Sequence, residues 1–186
     1  MTTSKRHNVI GCPVILYDES GEQLYSTEVV GFNKVELRIE LKSIPPSLNI
    51  GDVCGLLIIS TPTPWEYQGR LIGSSSKKEF ALFRGKEREN RKSQRHKVNF
   101  PAEIDSYVAD GQTYKLLTPL KVAVMNISRT GLRFSSTNNS LSKGDKFHMR
   151  VSLNDADEKT LKAEVVNTLD KEDSQTEYGC HFMTDN

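Results

Sequence analysis

The chain has 186 residues, 36% of them apolar and 26% charged, with 25 basic residues against 24 acidic ones, which fits one or two globular domains. No stretch approaches the roughly 18 uncharged apolar residues of a membrane span, and the opening MTTSKRHNVIGCPVILYDES carries too short an apolar run for a secretory signal, so a cytosolic protein without membrane insertion is expected. Three cysteines, Cys12, Cys54 and Cys180, are odd in number, far apart and free of any CxxC, which speaks against a disulfide framework or a zinc knuckle and leaves buried or free thiols.

From residue 9 to residue 83 the apolar residues fall in short runs rich in Val, Ile, Leu and Tyr, separated by turn residues. This is a strand signal, and it predicts strands near 14–17, 24–30, 35–41, 53–60, 66–73 and 80–83. Pro45, Pro46, Pro62 and Pro64 sit in the gaps, where a residue without a ladder donor belongs. Trp65 is expected to pack into the core of this half.

Residues 84–97, RGKERENRKSQRHK, hold seven basic side chains against two acidic ones, a net of +5, while the rest of the chain carries 18 against 22, a net of −4. Attraction to an anion therefore comes from this segment, and a small anionic ligand suits it better than a long duplex. With almost nothing apolar to bury, the segment is expected to be solvated, dividing the chain into residues 1–84, a basic linker at 85–97, and residues 98–186.

Strand patterns resume near 98–107, 114–125, 131–135, 146–153, 161–169 and 177–183. The alternation is clear where Phe147, Met149, Val151 and Leu153 interleave with Lys146, His148, Arg150 and Ser152. Two similar turns, Asn49-Ile50-Gly51-Asp52 and Ser142-Lys143-Gly144-Asp145, each precede a strand. Both halves read as all-β, each with enough short strands to close a small β-barrel without exposed edges.

Arg91 and Arg95 are four residues apart, a spacing that puts two guanidinium forks on one side of the chain, where they can converge on one anion. A planar donor pair matches a phosphate, or the O6 and N7 acceptors of guanine, with two hydrogen bonds at once. Alone, the pattern is more often a solvated basic linker. Further on, LKVAVMNISRTGLRF runs from a strand through a turn into a strand, and its parity places Leu120, Val122, Val124, Asn126 and Ser128 on one face. That face starts apolar and ends in an amide and a hydroxyl, as at a barrel rim. Gly131 follows, where a side chain would obstruct the turn or a ligand. Asn, Ser and Gly are also ordinary turn residues.

Together, R-x-x-x-R at Arg91 and Arg95 and N-x-S-x-x-G at Asn126, Ser128 and Gly131 resemble, in order, spacing and strand context, the PilZ domain, a cyclic di-GMP receptor. The resemblance covers about residues 86 to 185 and implies a six-stranded β-barrel whose arginine segment wraps onto the dinucleotide. It implies that Arg91 and Arg95 bind phosphate and guanine edges, that Asn126 and Ser128 hydrogen-bond guanine and phosphate, and that Gly131 keeps the approach clear, with Asn90, Lys92 and Arg129 as secondary contacts. The first half is similar in length, strand pattern and position to the N-terminal barrel of flagellar-brake proteins. The sequence ends four residues after Phe182, so a contact through the helix that often follows in the family is not carried over.

The function so implied is a non-enzymatic cyclic di-GMP effector, without metal or other cofactor, that changes domain orientation and acts on motility, adhesion or a related surface behaviour through a protein partner such as the flagellar motor or surface-polysaccharide machinery. Two other functions compete, a nucleic-acid-binding β-barrel and a ligand-free PilZ-like scaffold. Residues 84–97 lack the interleaved aromatics of single-strand binders, having only His96, so no nucleic-acid partner is expected. Cys180 and His181 are neighbours on a strand and face opposite ways, and His7, His96 and His148 have no ligand spacing. Ser74, Ser75 and Ser76 and the pair Asp155 and Asp157 form no catalytic constellation.

Overall fold

A computed structural model describes residues 9–33, 35, 38–74, 81–87 (backbone only), 95–138, 140–154, 156–171 and 175–184. Twelve strands are present: β1 (Pro13–Tyr17), β2 (Gln23–Asn33), β3 (Arg38–Leu41), β4 (Val53–Ile58), β5 (Trp65–Ser74), β6 (Ala81–Glu87), β7 (His96–Ala109), β8 (Gln112–Ile127), β9 (Gly131–Ser136), β10 (Lys146–Val151), β11 (Lys159–Asp170) and β12 (Thr176–Phe182). They form two closed antiparallel barrels, β1-β2-β3-β6-β5-β4 and β7-β8-β9-β12-β11-β10. Pairing of β1 with β4 closes the first, Val14 opposite Ile58, and pairing of β7 with β10 closes the second, Tyr107 opposite Phe147. Among the described residues no helix is long and apolar enough to cross a membrane.

Strand order in the second barrel repeats that in the first, and the two Gly-Asp turns occupy equivalent places in it, each leading into the fourth strand. In both, the aspartate carboxylate accepts the backbone N–H three residues earlier (Asn49 to Asp52, 2.8 Å; Ser142 to Asp145, 2.7 Å). In both, the glycine has positive φ, 102° at Gly51 and 94° at Gly144, and donates to the fifth strand, at Leu71 and at Val165, over 2.8 Å. Turn chemistry and topology thus recur together.

The alternation expected for β10 holds: Phe147, Met149 and Val151 are buried, and Phe147 meets Phe134 edge-on, which stacks on Tyr178 at 5.0 Å. Strand β1 is different, since all five of its residues are buried. Val14 and Leu16 join the first barrel's core, whereas Ile15 and Tyr17, with Leu57 and Ile59, belong to the apolar cluster of the second barrel. A strand buried on both faces reads as an unbroken apolar run. The β10–β11 loop adds two polar ties to the first barrel, Asn154 Nδ2 donating to the Ser26 carbonyl (2.7 Å) and the Asp157 N–H to the Gly11 carbonyl (3.1 Å). Trp65 is partly buried against the first core, edge-on to Phe32 and Tyr67.

The stretch expected to be a solvated linker is shorter than 85–97. Strand β6 runs on to Glu87, with Gly85, Lys86 and Glu87 opposite Gly69, Gln68 and Tyr67, and β7 begins at His96. Backbone pairing with β5 extends the strand through a polar stretch of sequence, because ladder hydrogen bonds do not depend on side-chain polarity.

All three cysteines are buried free thiols. Burial pushes the Cys54 and Cys180 thiols up to about 12 from an ordinary 9.0, with the Asp52 charge adding to Cys54; burial raises Cys12 as well. The unfolded chain ionises these thiols first, so their contribution to stability is complete below pH 9 and is lost as pH climbs towards 12. A thiol-reactive dye at pH 8 is expected to leave the folded protein unlabelled and to react with three thiols after denaturation; rapid labelling of the folded state would contradict this.

Candidate functional site

The site is built where β7 begins and β8 ends. Across this ladder Lys97 stands opposite Asn126 and His96 opposite Ile127, and Arg95 directly precedes His96. Burial alternates strictly here: Arg95, Lys97 and Asn99 are exposed, while His96, Val98 and Phe100 are buried. Two cations on one face of an extended strand therefore lie beside the Asn126 side of β8.

The expected parity of β8 does not survive to Asn126. The pairing of β8 with β9 slips between Val124, opposite Phe134, and Asn126, opposite Arg133. Met125 is the extra residue of this bulge and is 38% exposed; Asn126 is partly exposed and Ile127 is fully buried. Ile127 thus takes the core place that strict alternation would have left to Asn126. A bulge re-aims the side chains that follow it, and here it turns the amide away from the core.

Ser128, 2% exposed, closes the turn that follows. Its N–H (2.8 Å) and hydroxyl (3.1 Å) both donate to the Gly131 carbonyl, and its oxygen accepts the Thr130 N–H at 3.4 Å. Gly131 has a packing reason to lack a side chain: a Cβ there would run into the Cys180 carbonyl of β12. Arg129, partly exposed, lies inside this turn. Arg95, Asn126, Ser128, Arg129 and Gly131 are thereby gathered at one end of β7, β8 and β9. Arg91, Asn90 and Lys92 lie outside the described residues.

The β1–β2 turn of the first barrel completes a cleft of about 560 Å³, lined by Ser20, Gly21, Glu22 and Gln23 with Arg95, Lys97, Val98 and Asn99. The Asp18 carboxylate holds this turn, accepting the Ser20 hydroxyl (2.6 Å), the Ser20 N–H and the Glu22 N–H. These bonds, the Ser20 hydroxyl first, hold the Asp18 carboxyl below its usual range, so the turn keeps its charged anchor at neutral pH. The sequence signals a turn at DESGEQ but nothing that ties it to Arg95, because packing between the barrels brings them together. Among the described residues no three His, Cys, Asp or Glu side chains are grouped to hold a metal.

The first barrel has the same bulge without the same residues. Its slip lies between Val29 and Gly31, and Gly31 pairs with Glu40 as Asn126 pairs with Arg133. Arg38, opposite Asn33, precedes Ile39 where Gly131 precedes Leu132. The bulge belongs to the barrel, and only in the second barrel does it carry an amide.

No curated protein matches the chain by sequence. Among solved structures, it is similar to the inhibitor of motility MotI (DgrA) of Bacillus subtilis (13% identity, 94% of this chain and 88% of that one, TM-score 0.40), to YcgR of Escherichia coli in complex with c-di-GMP (13%, 94% and 76%, 0.38) and to MrkH of K. pneumonia in complex with c-di-GMP (14%, 94% and 80%, 0.37). The PilZ domain family model matches residues 89–186. That span is more than half of the chain and contains the whole second barrel with Arg91, Arg95, Asn126, Ser128 and Gly131, and the chain belongs to the PilZ domain family.

Proposed function

We propose that the protein is a cyclic di-GMP effector, which captures the dinucleotide with Arg91, Arg95 and Asn126 and passes the change to a protein partner in motility, adhesion or a related surface behaviour. The observation that carries this reading is the register at the start of β7, which sets Arg95 and Lys97 beside the bulge bearing Asn126. The guanidinium planes supply forks for phosphate or for guanine O6 and N7, and the amide supplies both a donor and an acceptor. Membership of the PilZ domain family supports the same ligand.

Charge-assisted hydrogen bonds contribute on the order of 1.5–3 kcal/mol each, and the ligand offers two phosphates and two guanines. Fixing backbone costs roughly 1–2 kcal/mol per residue, and micromolar affinity corresponds to about −8 kcal/mol. The test is thermal: at a hundredfold excess over Kd, cyclic di-GMP is expected to stabilise the fold by about 2.7 kcal/mol, and GTP is not. A folded protein whose melting point ignores the dinucleotide would overturn the reading. A shift produced instead by oligonucleotides of many lengths, and lost steeply with salt, would replace it with nucleic-acid binding.

A further inference from the structure

The residue after Arg95 is the most deeply buried titratable group of the second barrel's first strand. His96 is 0% exposed, and its ring lies on that of Tyr17 from β1, centroids 3.9 Å apart. Its Nε2 stands 3.5 Å from Oε1 of Glu66 on β5, itself 1% exposed. This is an ion-pair separation outside hydrogen-bond geometry. Neither His96 nitrogen has a hydrogen-bond partner, and Glu66 Oε1 has none. Polar atoms orphaned in this way favour any rearrangement that lets water reach them.

Beside the apolar seam of Ile15, Leu57 and Ile59, two polar attachments between the barrels differ in quality. At the β10–β11 loop the polar groups are well bonded, at 2.7 and 3.1 Å. At His96 they are not, and that joint is continuous with an arginine of the ligand site. We infer that the His96–Glu66 contact is a release joint: a ligand that draws Arg95 onto itself pulls His96 from between Glu66 and Tyr17, both side chains become hydrated, and the barrels re-seat about the β10–β11 loop. The Arg95 position best suited to the ligand is reached only with the joint open. His96 and Glu66 thus act as positioning residues through Arg95.

This inference rests on the proposed cyclic di-GMP reading and has its own test in the double variant Glu66→Met/His96→Phe. An apolar pair of similar volume removes the orphaned atoms and keeps a ring over Tyr17, and such replacements commonly stabilise. The variant is expected to melt above the wild type and, because its competent state is scarcer, to bind cyclic di-GMP about tenfold more weakly. Dyes on Ile50→Cys and Leu117→Cys report the separation of the barrels, since both side chains are exposed and the native thiols are buried. The ligand is expected to change energy transfer between them in the wild-type background and much less in the double variant. Should the folded variant bind with wild-type affinity and give the wild-type change in energy transfer, the joint is structural only and the inference is wrong. Should the wild type fail to bind the dinucleotide, the functional reading falls and takes this inference with it, an outcome distinct from the first.

Discussion

Arg95→Ala is expected to weaken cyclic di-GMP binding by at least about 100-fold while leaving the free protein's unfolding midpoint unchanged. Arg95 is exposed and precedes the first residue of β7, so its removal opens no cavity. Its loss deletes a bidentate, charge-assisted contact of about 3 kcal/mol or more, taking two bonds at roughly 1.5 kcal/mol each as the lower bound, and each 1.4 kcal/mol is tenfold. Arg95→Lys is expected to recover little, because a point charge does not reproduce a planar fork. Lys97→Ala removes a charge on the same face and is expected to cost only severalfold. A calorimetric affinity for Arg95→Ala within threefold of wild type would show that the ligand is held elsewhere.

The largest expected effect on stability comes from Gly131→Ala. The added methyl meets the Cys180 carbonyl, and that carbonyl cannot swing aside cheaply. Cys180 and His181 of β12 pair with Leu132 and Gly131 of β9, and the Phe182 N–H donates to the Thr130 carbonyl at 2.9 Å. Overpacking of a well-packed interior costs about 1–3 kcal/mol and occasionally more, and a clash with ladder backbone belongs at the upper end. Urea unfolding is expected to show a loss of about 3 kcal/mol. Gly144→Ala is the control: nothing crowds its side-chain position, so only its positive φ, 94°, is strained, at about 1 kcal/mol. Equal losses in the two variants would remove the steric explanation for Gly131.

Local rules made most of the strands legible. Period-2 alternation located β10, and the Gly-Asp turns located the starts of β4 and β10, because these depend on neighbouring residues alone. Three features depended on tertiary context. The Met125 bulge is visible only in the slip against β9, so parity placed Asn126 with the core residues. The extension of β6 to Glu87 is driven by an open ladder on β5 in a segment whose composition argues for solvent. Ser20 to Gln23 lie 72 to 75 residues before Arg95, and Glu66 lies 30 before His96, and nothing local announces that they meet. The recurrence of the Gly-Asp turn was visible as a string, but only the shared strand order gives it meaning.

The most direct test of the account is titration calorimetry of cyclic di-GMP into the purified protein, beside Arg91→Ala, Arg95→Ala and a GTP control, at near-physiological salt. Micromolar or tighter binding to the wild type, lost in both variants and absent for GTP, is the predicted result. No heat from a folded wild-type protein, or binding that persists in both arginine variants, would contradict it.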